Sequence, residues 1–308
     1  MSLIHAKGLE KHYGQQVVLE RMNLTVEAGE FITLVGASGC GKTTFLKLLL
    51  GTEGVSRGEL LLDGKPIPGE PGPDRGIVFQ KYSVFPHLTV LGNVIMAEEL
   101  ARAPLTGKLF GAKRREARVA AEKRLAEVGL SHALDKYPHE LSGGMQQRLA
   151  IAQALMMKPR ILLLDEPFGA LDPGIRKDMH QLILRLWEEQ QLTIFMITHD
   201  LKEAFELGSR VWVFDKVRVD PQAPQAYGST ITYDLPTERN KAKASSQQPG
   251  AHQPGSVQPG SVQPGSVQTG ADQTGADQPT PEHETLTTPA HSVSQATLTG
   301  GQINEHTA

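Results

Sequence analysis

Gly36-Ala37-Ser38-Gly39-Cys40-Gly41-Lys42-Thr43-Thr44 fits the pattern G-x-x-x-x-G-K-[ST], and its flanks supply the context that the pattern requires. Before it, Phe31-Ile32-Thr33-Leu34-Val35 is a short apolar run of the kind a buried parallel strand makes. After it, Phe45-Leu46-Lys47-Leu48-Leu49-Leu50 reads as a helix stopped by Gly51. A glycine-rich turn between strand and helix aims backbone N–H groups and a helix N-terminus at one point, which makes a cradle for phosphate. Gly36, Ser38, Gly39, Cys40, Gly41, Lys42, Thr43 and Thr44 are therefore the expected phosphate-binding residues. Lys42 would reach the outer phosphates and the Thr43 hydroxyl would bind Mg²⁺.

Upstream of this loop, residues 3–35 read as short strands, with a turn at His12-Tyr13-Gly14 and strand-like runs at Val17–Leu19 and Leu24–Val26. Downstream, Glu59–Gly64 reads as a hairpin, and Gly76–Phe79 as a buried strand ending on Gln80. From about 86 to 157 the pattern turns helical. Ala117, Ala121, Leu125 and Val128 share one face of an amphipathic helix, and Ser142 is suited to N-cap a second helix that Pro159 stops. Ile161–Leu164 is a continuous apolar strand ending in Asp165-Glu166, and Thr193–Ile197 is another ending in Thr198-His199-Asp200. Polar residues thus follow the ends of four strands, at 36–44, 80, 165–166 and 199. Ligands of open parallel α/β sheets bind outside such strand ends.

Composition divides the 308 residues unevenly. From Pro236 onward there is no Phe, Trp or Tyr, and Gln248, Gln253, Gln258, Gln263, Gln268 and Gln273 each open a five-residue Gln-Pro/Thr-Gly unit. So little apolar material cannot offset the entropy of ordering, so 236–308 is expected to be a disordered tail and 1–235 the folded domain. The tail carries three of the 31 basic and six of the 34 acidic residues, leaving 28 of each sign in the body. That balance lacks the basic footprint of a nucleic-acid binder. No apolar run approaches the ~20 residues of a membrane span. The single cysteine, Cys40, leaves no disulfide framework. A cytoplasmic chain is expected, with any membrane role exercised through a partner.

Taken in order, the loop at 36–44, Gln80, Leu141-Ser142-Gly143-Gly144-Met145-Gln146-Gln147-Arg148, Ile161–Pro167, Gly169-Ala170-Leu171-Asp172 and His199 resemble the nucleotide-binding subunit of an ATP-binding-cassette transporter. The resemblance covers about residues 1–215, and its Leu-Ser-Gly-Gly stretch is absent from phosphate-loop ATPases in general. It implies an α/β fold: a phosphate-loop NTPase cassette with a parallel core sheet, an antiparallel β subdomain and a helical subdomain. It also implies ATP and Mg²⁺ as ligands. Glu166 would then be the general base, His199 the contact to the γ-phosphate, and Asp165, with Thr43 and Gln80, the Mg²⁺ group. Lys42 would stabilise phosphate charge, and Tyr13 would stack on adenine. Ser142, Gly143, Gly144 and Asp172 would complete the site of a second cassette subunit, a homodimer in the simplest case.

Further partners implied are a transmembrane permease and, indirectly, a solute-binding protein, with the cassette at the cytoplasmic face of the inner membrane. The Phe79–Val90 stretch is similar to importers of nitrate, sulfonate and taurine, where Tyr82, Phe85 and Leu88 would receive a helix of the permease. Residues 102–112 and 216–235 depart from the usual lengths. Two rivals remain. One is a soluble cassette ATPase of DNA repair or translation, against which one cassette, one cysteine and no long heptad run all argue. The other is a cassette that binds ATP without turnover, against which Glu166 and His199 argue.

Overall fold

The computed structural model describes residues 2–80, 84–103, 107–223 and 225–239. Tyr82 and the repeats from 248 onward lie outside the described residues. Two sheets and a set of helices make up the body. β1 (Ser2–Tyr13), β2 (Gln16–Glu27), β4 (Arg57–Leu62) and β5 (Lys65–Pro66) form an antiparallel sheet in the order β2-β1-β4-β5. The core sheet runs β10-β9-β3-β8-β7-β6, from β3 (Phe31–Gly36), β6 (Arg75–Val78), β7 (Ile161–Asp165), β8 (Thr193–Ile197), β9 (Arg210–Asp215) and β10 (Thr230–Pro236). All its pairings are parallel except β10 with β9.

The apolar runs read as buried strands are buried on both faces, with a period of two. Along β7, Ile161 and Leu163 join one core while Leu162 and Leu164 join the other; along β8, Phe195 and Ile197 face the first, and Ile194 and Met196 the second. The first core lies under α1 (Lys42–Leu50) and the antiparallel sheet. The second lies under α2 (Val90–Arg102), α3 (Gly111–Glu127), α4 (Gly143–Leu155) and α5 (Pro173–Gln190). Phe45 anchors α1, and with it the loop that precedes it. Its ring packs edge-on against Phe195 at 6.1 Å and Trp212 at 6.0 Å, and tilted against Phe214 at 5.8 Å. Truncating such an aromatic costs about 3–5 kcal/mol.

The helical stretch is as its periodicity predicts. Ala117, Ala121, Leu125 and Val128 are all fully buried, and Ser142 caps α4 by accepting from the Met145 N–H at 3.4 Å. α1 ends at Gly51, whose left-handed φ of 88° closes the helix.

Two expectations change. Up to Glu27 the short strands are two strands of 12 residues each, β1 and β2, broken by bulges and joined by a turn at 14–15, next to the one expected at 12–14. Within the stretch 216–235 noted for its length, residues 225–229 run along the outer edge of β2, where Val17 N–H donates to Gln225 O at 3.0 Å and Ser229 N–H to Val18 O at 3.0 Å. The boundary expected at 235 falls within β10, and the chain stays on the body beyond it. Buried Thr237 donates its hydroxyl to Gly208 O at 2.7 Å, and Arg239 Nε donates to Glu206 O at 2.7 Å.

Candidate functional site

The four strand ends meet at one edge of the core sheet, because β6, β7, β8 and β3 are neighbours running the same way. At the end of β3 the chain must pass close under β9. A Cβ on Gly36 would lie 2.2 Å from the Phe214 carbonyl oxygen, so only glycine fits. The turn then uses left-handed backbone at Gly39 (φ 78°) and Gly41 (φ 89°) to enter α1. Gly41 is also pressed against β2, where a Cβ would meet Leu19 Cδ2 at 2.7 Å and Val18 Cγ1 at 3.0 Å.

This loop borders a cavity of about 300 Å³ lined by Val18, Ser38, Gly39, Gly41, Lys42, Thr43, Thr44, Glu166 and His199. Lys42 is buried, with its ammonium donating to the carbonyls of Gly36 and Ala37 at 2.8 Å each and lying 3.5 Å from Cys40 Sγ. Thr43 Oγ1 donates to Asp165 Oδ1 at 3.4 Å, which joins the first residue pair expected to hold a cation. Burial holds the Asp165 carboxyl above the usual carboxylate range and neighbouring Glu166 pushes the same way, against the Thr43 hydrogen bond and the Lys42 charge. The Lys42 and Lys47 charges do not offset that burial.

Glu166 sits at φ 48°, a left-handed conformation that costs a non-glycine residue on the order of 1–3 kcal/mol. Its N–H donates to Ile197 O at 3.1 Å, tying the strained turn to β8. Its carboxylate is gripped from both sides: Gln80 Nε2 donates to Oε2 at 2.9 Å, and His199 Nε2 contacts Oε1. Both Glu166 and His199 also line a second cavity of about 800 Å³, with Gln80, Phe168, Arg176 and Leu201. Gln80 borders this larger cavity and not the phosphate-loop one.

The structure thus brings together Ser38, Gly39, Gly41, Lys42, Thr43, Thr44, Asp165, Glu166, His199 and Gln80. Tyr13 lines neither cavity but borders the loop: at the end of β1 and about 42% exposed, its hydroxyl meets the side chains of Thr44 and Glu53, with the Lys11 ammonium 4.7 Å above its ring. Ser142, Gly143, Gly144 and Asp172 line neither cavity. Ser142 and Gly143 are exposed at the start of α4, and Asp172 is exposed at the start of α5. Sequence reasoning missed Val18 and Arg176. Val18 reaches the cavity only because β2 packs under the loop, and no spacing in the chain signals that.

Together these groups can hold a polyphosphate on backbone N–H groups and Lys42, a cation on Thr43 and Asp165, and a carboxylate base beside a histidine. A family model described as ABC transporter matches residues 19–169. The chain is 43% identical over 226 residues to the nitrate import ATP-binding protein NrtD of Synechococcus elongatus, covering 73% of this chain and 78% of that one. It is 41% identical over 228 residues to the bicarbonate transport ATP-binding protein CmpD of Synechocystis sp., covering 74% and 77%. Among solved structures, the dimeric bacterial ABC transporter cassette MJ0796 superposes with a TM-score of 0.60 at 30% identity, over 76% of this chain and 98% of that one.

Proposed function

Because the chain belongs to the ABC transporter family, as an ATP-hydrolysing subunit of a membrane importer, we propose that Glu166, His199, Gln80 and Lys42 carry its chemistry. The observation behind this reading is the clamp on Glu166 at the mouth of the phosphate-loop cavity. Hydrolysis of a phosphoanhydride needs a positioned water and stabilised charge more than covalent help. Glu166, between Gln80 and His199, takes the proton of the attacking water. His199 orients that water and contacts the terminal phosphate. Lys42 and the N–H groups of the 36–44 loop bind the phosphate oxygens, and Tyr13 stacks on the adenine.

The residues fit Mg²⁺. Thr43 and Asp165 offer oxygen alone, and among the described residues no cluster of three His, Cys, Asp or Glu side chains forms a protein cage. That is the sparse donor set Mg²⁺ uses when substrate phosphates and water complete its shell. When bound there, it neutralises phosphate charge.

The exposed Ser142, Gly143 and Asp172, with Gly144 buried behind them, complete the site of a second copy, so that ATP favours a closed dimer by touching both chains. The likeness to a dimeric cassette supports this. Among the described residues no helix is long and apolar enough to cross a membrane. In this reading, supported by the relatives named as import ATP-binding proteins, the cassette works from the cytoplasmic face through a permease, with Phe85 and Leu88 as part of the docking surface. A small anion is the transported class, consistent with relatives named for nitrate and bicarbonate, and a solute-binding protein delivers it. Neither of those relatives is named for DNA repair or translation. Co-purification from native membranes in mild detergent, with mass spectrometry of what stays bound, tests the reading. A stoichiometric polytopic membrane protein supports it; ribosomes or DNA in its place would overturn it.

A further inference from the structure

Two loops carry the groups around Glu166: residues 166–171 after β7 and 198–200 after β8. His180, in the second turn of α5, lies between them. Its ring packs 5.1 Å from that of Phe168, two residues beyond Glu166. On its other side His180 Nε2 is 2.7 Å from Glu203 Oε1. Glu203 belongs to α6 (Leu201–Leu207), and its second oxygen accepts from the Thr198 hydroxyl, one residue before His199. That hydroxyl in turn accepts from the Asp200 N–H at 3.1 Å, one residue after His199.

The turn bearing His199 is therefore closed on both sides by a single hydroxyl, which Glu203 holds and His180 backs. These groups are largely out of solvent: Phe168 is 1%, Thr198 4% and Glu203 6% exposed, and the His180 side chain 15%. A carboxylate buried this far is costly, and an apolar cluster would hold three elements together at least as well. Directional bonds give what an apolar cluster does not, which is one fixed orientation of the turn.

We propose that His180, Glu203 and Thr198 form a positioning network that sets His199 against Glu166 and ties both to α5. The exposed Asp172 is the N-cap residue of this helix, so a displacement of its N-terminus reaches both loops through one side chain. The proposal rests on the ATPase reading of the site. None of the three residues touches substrate; they act through His199 and Glu166.

The test is steady-state phosphate release by the full chain with Mg-ATP, alongside nucleotide binding and thermal melting. The variants are His180→Ala, Glu203→Ala, the pair together, and Glu203→Gln. A small misplacement of a catalytic group costs about tenfold or more in rate, so each alanine variant should lose about tenfold in kcat. KM for ATP should stay within about twofold, since the phosphate loop is untouched. Residues acting as one unit are not additive, so the pair should lose about as much as the worse single variant. Glu203→Gln can still bond both neighbours through its amide and should recover most of the rate even if the alanine variants fold poorly.

Single variants within about twofold of wild type in kcat would overturn the proposal, as would losses that multiply to about hundredfold in the pair. So would a fall in kcat matched by an equal loss of ATP affinity. A wild-type chain that binds Mg-ATP but releases no phosphate would overturn the ATPase reading itself, and the network with it.

Discussion

Gly144, in the Leu-Ser-Gly-Gly stretch, is buried at the start of α4, and a Cβ there would lie 2.5 Å from Ile175 Cγ2 on α5. Carbon atoms rest at about 3.5–4.0 Å, so Gly144→Ala must move Ile175 or the helix by roughly 1 Å. Overpacking of this kind costs about 1–3 kcal/mol. Alanine is intrinsically the better helix former by about 1 kcal/mol, which offsets part of that. The net expectation is a loss of about 0–2 kcal/mol, or about 0–8 °C in Tm at roughly 2–4 °C per kcal/mol. In an Ile175→Ala background the obstacle is gone, and the same substitution should stabilise by up to about 1 kcal/mol. Urea denaturation of the four proteins without nucleotide measures the cycle. The coupling should be about 1–3 kcal/mol; a value under about 0.5, with Gly144→Ala acting alike in both backgrounds, would refute the packing argument.

Asp165→Asn should stabilise the chain at pH 7. Burial raises the folded pKa, so wild-type stability from this group falls as pH rises from the ordinary carboxylate value through the raised one. The Tm advantage of the variant should shrink as pH drops to about 4, and a constant difference from pH 4 to 8 would contradict it. In the proposed site Lys42→Ala would remove charge-assisted hydrogen bonds to phosphate worth about 1.5–3 kcal/mol, so fluorescent-nucleotide titration should show binding weakened about 10–150-fold. Truncation after Arg239 should leave Tm and turnover unchanged. Truncation after Leu235 also removes the Thr237 and Arg239 hydrogen bonds to Ser209, Gly208 and Glu206, costing about 2–3 kcal/mol at roughly 1 kcal/mol each. Equal melting of the two truncations would contradict that boundary.

The strand ends were legible because each combines an unbroken apolar run with a polar residue just beyond it, a pattern that burial on both faces of a parallel sheet imposes. The α4 cap was legible for a local reason: Ser142 stands before a helical period and bonds only three residues away. β1 and β2 read as fragments because bulges break their alternation. Arg21 and Gly8 both take positive φ where the register shifts, and a polar stretch at such a point looks like a turn. Val18 and His180 were not legible at all. Each is placed by packing between elements remote in sequence, and neither has a motif at fixed spacing. The 216–235 stretch was noticed for its length, but its place beside β2 rests on backbone bonds and on Glu20, which meets Arg218 and the Gly228 N–H, and no local spacing signals such long-range pairings.

Steady-state phosphate release by Glu166→Gln, beside wild type at saturating Mg-ATP, tests the central claim most directly. Gln keeps the shape of the side chain, and its amide can still meet Gln80 and His199, but it cannot take a proton from water. Turnover should fall about 10²–10⁴-fold, the usual contribution of a general base, with nucleotide binding retained. A variant that hydrolyses ATP within about threefold of wild type would contradict the assignment of Glu166 as the base.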